Sequence, residues 1–186
     1  MSRDPQADLF RAPNEKRPPL AHGGSGTRGR RKVLRPLATN KPVHLTLRAT
    51  AARGELSFLR AHNRLLVAAL LRRQAARFRV RVESWVNVGN HLHLKIRFRT
   101  RRSFQNFLRT FTAVLARTIT GACRGRPFGK FWDALAFTRV LTSRRELANL
   151  DRYFTANAAE AFAGPAAREE VLARKFPWEK RRKLSG

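Results

Sequence analysis

Residues 79–98 read RVRVESWVNVGNHLHLKIRF, two alternating runs joined by Gly89-Asn90. In the first run Val80, Val82, Val86 and Val88 fall on one side. In the second, Leu92, Leu94, Ile96 and Phe98 oppose His93, Lys95 and Arg97. A two-residue Gly-Asn link between runs of period two is a hairpin signal, so the strands are expected to pair antiparallel. Alternation of this kind also sorts a sheet into an apolar face and a polar one.

Working outward, residues 43–48, VHLTLR, alternate as well: Val43, Leu45 and Leu47 lie on one face, His44, Thr46 and Arg48 on the other. Between this strand and the hairpin, residues 58–77 are rich in good helix formers. After the hairpin Ser103 is placed to cap a helix, whose buried stripe is Phe104, Phe107, Leu108, Phe111, Leu115 and Ile119 and which Gly121 ends. Residues 136–140 form a fourth strand, and a last helix runs from about Arg144 to Ala163, before Gly164-Pro165. The order β-α-β-β-α-β-α predicts an α+β fold, a ferredoxin-like split βαβ sandwich with an antiparallel sheet and an extra C-terminal helix. One sheet face is then apolar and covered by two helices, and the other gathers imidazole and positive charge.

The chain has 186 residues, with 40 Lys+Arg against 12 Asp+Glu and a formal net charge of +28. The basic residues are 32 Arg and 8 Lys. Arginine's planar fork matches phosphate oxygens and stacks on bases, so the excess favours a nucleic-acid partner. The flanks are read as a disordered basic arm over 1–41 and a basic tail over 165–186, around a folded unit at 42–164. No apolar run approaches the ~20 residues that span a bilayer, and the N-terminus lacks a signal-peptide pattern. A single cysteine, Cys123, excludes an internal disulfide framework. A soluble cytoplasmic protein, gathered with the nucleoid, is expected, with no membrane partner.

Chemistry centres on two features. His91 and His93 project from the same side of one strand, and two neutral imidazoles make half of a divalent-metal site. Lys95, Arg97 and Arg99 continue that face, Arg101 and Arg102 follow, and Arg48 flanks it on the first strand. Between His91 and Arg145 there are 13 Lys/Arg and one acid, Asp133, a balance suited to a phosphate-bearing substrate. The second feature is the only tyrosine, Tyr153, at the border of the last helix's stripe of Leu147, Leu150, Phe154, Ala158 and Ala161. Asn157 lies one turn beyond it on the same face. A phenol with a pKa near 10 is a weak nucleophile until its target is polarised or its proton accepted. A metal held by two imidazoles and an amide oxygen would supply that polarisation. Phe131 and Trp132 are read as buried, with stacking on an unpaired base as the alternative. Trp85 falls on the outward face.

His-hydrophobe-His in VNVGNHLHLKI, an aromatic-Trp pair in GKFWDALAFTRV and Tyr-x-x-x-Asn in RYFTANAAEA occur in that order. Together they resemble the single-tyrosine HUH transposases, in particular the REP-associated tyrosine transposases, whose stretches run Pro-Asn-His-Val-His-Leu and Tyr-Ile-x-x-Asn-Pro-Val. HLTLRAT also sits where that family has its first strand. The resemblance spans about 43–162. It implies a ferredoxin-like nuclease on single-stranded or hairpin DNA, working through a 5′-phosphotyrosine intermediate with Mg²⁺ or Mn²⁺. Carried over, His91 and His93 are metal ligands, Asn157 completes the metal site and Tyr153 is the nucleophile. Lys95, Arg97, Arg99, Arg101, Arg102 and Arg48 would line the DNA path, in a monomer or a homodimer. Gly89 stands where the family has Pro, and Ala158-Ala159 where it has Pro-Val. The alternative from another class is a domesticated relative that grips hairpin DNA or RNA without cutting it.

Overall fold

Each alternating run becomes a strand and each 3.6-residue stripe a helix. The computed structural model describes residues 21–24 and 34–175. The strands are β1 (Ala21–His22), β2 (Val43–Arg48), β3 (Val80–Asn87), β4 (His91–Phe98) and β5 (Phe137–Val140). The helices are α1 (Ala61–Arg77), α2 (Arg101–Thr120), α3 (Arg144–Ala163) and α4 (Pro165–Lys175). The strands form one sheet in the order β1-β5-β2-β4-β3, with antiparallel neighbours throughout. The β2–α1–β3 and β4–α2–β5 crossovers each pass over one intervening strand. This is the α+β, split βαβ arrangement expected from the sequence, with the short β1 added at the β5 edge.

Register follows the apolar alternation. Leu45 lies opposite Leu94, Thr46 opposite His93 and Arg48 opposite His91. Across the other edge of β2, His44 faces Arg139 and Thr46 faces Phe137. Val43, Leu45 and Leu47 join Leu92, Leu94, Ile96 and Phe98 under α1 and α2, with Val67, Leu71, Phe104, Phe107, Phe111 and Leu115 closing the core. Burial of this set is the main source of stability, about 1.5–3 kcal/mol for each large side chain.

The hairpin turns at Gly89-Asn90, where the Val88 amide donates to the His91 carbonyl at 3.1 Å. Gly89 has φ +91°, the left-handed value that a type II′ turn requires at its first central position. A proline ring locks φ near −65°, so this turn is closed to the family's Pro.

Three local expectations are corrected. A β-bulge interrupts β3 between Val82 and Ser84, so Glu83 is the extra residue. Val80 and Val82 stay on the main core, but Val86 crosses to the opposite face, opposite His93. The same shift turns Trp85 toward the core, opposite Leu94, and off the outward face. A strict period of two cannot survive a one-residue insertion. At α2 the cap is Thr100, whose hydroxyl accepts from the Ser103 amide at 3.0 Å. Gly121 ends that helix at φ +67°.

Of the segment read as a basic arm, residues 21–24 and 34–41 are described, and Ala21–His22 pair with β5. Arg35 donates to the Ala136 carbonyl and to the Thr138 hydroxyl, both at 2.7 Å. Leu37 and Ala38 pack on the main core. Residues 1–20 and 25–33 lie outside the described residues. In the segment read as a basic tail, 165–175 form α4, tied to α3 by Arg168–Glu160 at 2.6 Å, and 176–186 lie outside the described residues. No described helix is long and apolar enough to cross a membrane.

Candidate active site

The second sheet face, left polar by the alternation, receives α3. Leu150 and Phe154 of the helix bury against Val86 and Leu141, with Leu147, Tyr153 and Ala158 at the margin. The helix starts from a capping box: the Ser143 hydroxyl accepts from the Glu146 amide while Glu146 reaches back to the cap. Glu146 also binds the sheet. Its carboxylate takes the Arg139 guanidinium at 2.5 Å, the Thr142 amide at 2.6 Å and the Thr142 hydroxyl at 2.9 Å. Burial would raise the Glu146 carboxyl, but Arg139 and Thr142 outweigh it and hold it below the ordinary glutamate value. The tyrosine helix is thus anchored at its first turn to β5.

This docking puts Tyr153 beside the histidines. Its hydroxyl lies 3.3 Å from His93 Nε2, with the two rings edge to face at 5.1 Å. The His91 and His93 rings are stacked, with centroids 5.9 Å apart and planes inclined by 2°. His93 is 1% exposed and His91 only half-buried. His91 Nδ1 donates to Asn90 Oδ1 at 2.7 Å. His93 Nδ1 meets the Thr46 hydroxyl at 3.1 Å, and the same hydroxyl meets His44 Nε2 at 3.2 Å. Burial, reinforced by His44 and His91, holds the His93 pKa well below 6.5. Burial and the Arg139 charge push His44 down to about 3. Both rings are therefore neutral near pH 7.

The remaining sites read from the sequence are dispersed. Asn157 is buried one turn beyond Tyr153, and its Nδ2 donates to the Tyr153 carbonyl at 2.8 Å. Its oxygen is then the atom it could offer a cation. Lys95 pairs with Asp151 of α3 at 2.5 Å, Arg97 with Glu83 at 2.6 Å, and Arg101 donates to the Arg35 carbonyl at 3.0 Å. Arg99 and Arg102 are exposed. Arg48 pairs with Asp133 at 3.1 Å. Burial raises that carboxyl, yet the Thr50 hydroxyl and amide, with Arg48 and His91, bring its pKa down overall. Phe131 is 5% exposed and Trp132 donates to the Thr112 carbonyl at 3.1 Å, so the pair belongs to the core.

The donor set fits a divalent cation on one observation. His91 gives its Nδ1–H to Asn90 Oδ1 and His93 sets its Nδ1 against the Thr46 hydroxyl, the side-chain oxygen contacts that orient metal-ligating imidazoles and turn Nε2 outward. No group of three His, Cys, Asp or Glu suited to a metal occurs among the described residues, so further ligands would come from an amide, substrate or water oxygen.

Four residues escaped the sequence reading. His44 and Thr46 read as two outward residues of one strand, and only the β2–β4 register brings them onto His93. The Arg139–Glu146 pair was signalled by Ser143-x-x-Glu146, which has capping-box spacing.

No protein-family model matches the sequence, and no curated protein matches it. Among solved structures, the chain is similar to a candidate transposase from Deinococcus radiodurans, at 15% identity and a TM-score of 0.43. That likeness covers 66% of this chain and 95% of the other.

Proposed function

We propose that this protein is a transposase-like nuclease and strand transferase acting on single-stranded or hairpin DNA. The observation that carries the reading is the meeting of the only tyrosine with His93 Nε2 at 3.3 Å, beside a second, parallel histidine. Tyr153 is the nucleophile. Its oxygen attacks a backbone phosphorus, the bond from phosphorus to the 3′-oxygen breaks, and the products are a 5′-phosphotyrosine and a free 3′-hydroxyl. The phenol proton passes to a solvent or phosphate oxygen as attack begins, and the departing 3′-oxygen takes a proton from solvent. Rejoining reverses these steps.

His91, His93 and the Asn157 oxygen would hold Mg²⁺ or Mn²⁺. Such an ion polarises the scissile phosphate and stabilises charge on its oxygens. The chain's own residues do the aiming: Leu150 and Phe154 seat the helix, Glu146 anchors it, and Lys95–Asp151 ties its middle to β4. Arg99, just past β4, and Arg102, in the first turn of α2, are exposed and contact DNA phosphates.

The test uses labelled hairpin and single-stranded oligonucleotides with Mn²⁺, scored for an SDS-resistant protein–DNA complex. The wild type should form it and Tyr153→Phe should not, with binding of the oligonucleotide nearly unchanged. Adduct formation by Tyr153→Phe would remove the nucleophile assignment. Binding without any wild-type adduct would instead favour the non-cutting module.

A further inference from the structure

We infer that Thr46 and His44 are positioning residues that lock His93 in its Nδ1–H tautomer, keeping the Nε2 lone pair turned toward Tyr153. The geometry is a row of four groups, half-buried at Tyr153 and buried beyond it: Tyr153 hydroxyl to His93 Nε2 at 3.3 Å, His93 Nδ1 to Thr46 Oγ1 at 3.1 Å, and Thr46 Oγ1 to His44 Nε2 at 3.2 Å. His44 is 0% and Thr46 5% exposed, so water does not compete at the inner end. His44 and His93 also stack, with centroids 5.7 Å apart.

A threonine hydroxyl carries one proton. Placed between two imidazole nitrogens, it can donate to only one of them, so at least one ring must present an N–H to it. With the Thr46 proton spent within the row, the tautomers of His44 and His93 are coupled, and the row runs either from Tyr153 toward His44 or back. The end group decides. A phenol with a pKa near 10 is a far better donor than a neutral imidazole N–H, and an imidazole lone pair is a better acceptor than a phenol oxygen. In the metal-free protein Tyr153 thus donates to His93 Nε2, His93 Nδ1–H donates to Thr46, and Thr46 donates to His44 Nε2. This places at His93 the tautomer that Asn90 imposes on His91, so both Nε2 atoms are presented together.

The consequence for activity rests on the strand-transfer reading, whereas the tautomer does not. Uniformly ¹⁵N-labelled protein in EDTA is examined by long-range ¹H–¹⁵N correlation of the histidine rings, alongside the adduct assay. In wild type, His93 should show a protonated Nδ1 and an unprotonated Nε2. Thr46→Val should lose that single form and slow adduct formation roughly 10–100-fold, the range for removing a partner that orients a ligating histidine. Thr46→Ser should restore both.

A wild-type His93 protonated at Nε2 overturns the inference, and needs no variant. So does an unchanged His93 pattern in Thr46→Val, or a Thr46→Ser as impaired as the valine. Should Thr46→Val not fold, Thr46→Ala gives a second reading and should likewise lose the single His93 form. An adduct absent from wild type would count against the nuclease, with the ring spectra still deciding the tautomer.

Discussion

Glu146→Ala should cost far more stability than any surface carboxylate. The carboxylate accepts from Arg139, from the Thr142 amide and hydroxyl, and from the Ser143 amide at 3.1 Å. Arg139 is 4% and Glu146 8% exposed. Removing one partner of such a pair strands a buried charge, at about 3–5 kcal/mol. The helix cap adds up to about 1 kcal/mol, since Ser143 still serves one amide. At about 3 °C per kcal/mol for a domain of this size, Tm should fall by roughly 10–15 °C. Circular dichroism melts measure this, and hydrogen exchange in the first turn of α3 should rise before the main core opens. Arg139→Met combined with Glu146→Leu should recover most of the loss, because no buried charge is left unpaired. A single-variant loss under about 1 kcal/mol, or a double variant as unstable as the single, would refute the anchoring role.

Acid should weaken the fold through the buried imidazoles. A histidine whose folded pKa lies below its unfolded value of about 6.5 contributes fully above that pH, and the contribution is lost as pH falls toward the folded pKa. With His44 at about 3, the loss reaches about 2 kcal/mol by pH 5, and His44→Phe should show a smaller drop in Tm between pH 7.5 and 5. On DNA, Arg99→Gln with Arg102→Gln should lower the slope of log K against log salt by about 1.4 for single strands, if both touch phosphates. An unchanged slope in filter binding would place the strand on another face.

The fold was legible because its elements follow simple periods. The stripe of Phe104, Phe107, Phe111, Leu115 and Ile119 and the alternation in VHLTLR and HLHLKIRF each specify an element and a buried face. Gly89-Asn90 specified the turn, though only the φ of +91° explains why the position excludes proline. The bulge at Glu83 was not legible, since no residue type marks it and its effect is to break the pattern used to read β3. At the site, His91, His93 and Tyr153 stood out by rarity and spacing. Bringing His93 to Tyr153 required the tertiary docking of α3, and bringing Thr46 to His93 required a register between strands 47 residues apart in sequence. Nor could alternation show that α3 would cover much of the polar face, burying His44, His93 and Arg139 and leaving Arg99 and Arg102 outside.

The bulge in β3 has a consequence for how copies of this chain coexist. The sheet order leaves β1 and β3 as its outer strands among the described residues. An outer strand carries unpaired backbone groups that can template a strand from another molecule. Here β1 is two residues long, and β3 is kinked at Glu83 with Arg81 and Glu83 exposed. Neither offers a straight, uncharged ladder on which a second sheet could continue. A chain carrying +28 charges collects densely wherever a polyanion neutralises it, which is where mutual repulsion stops protecting it from aggregation. Under such crowding, short and kinked borders keep neighbouring copies from fusing edge to edge.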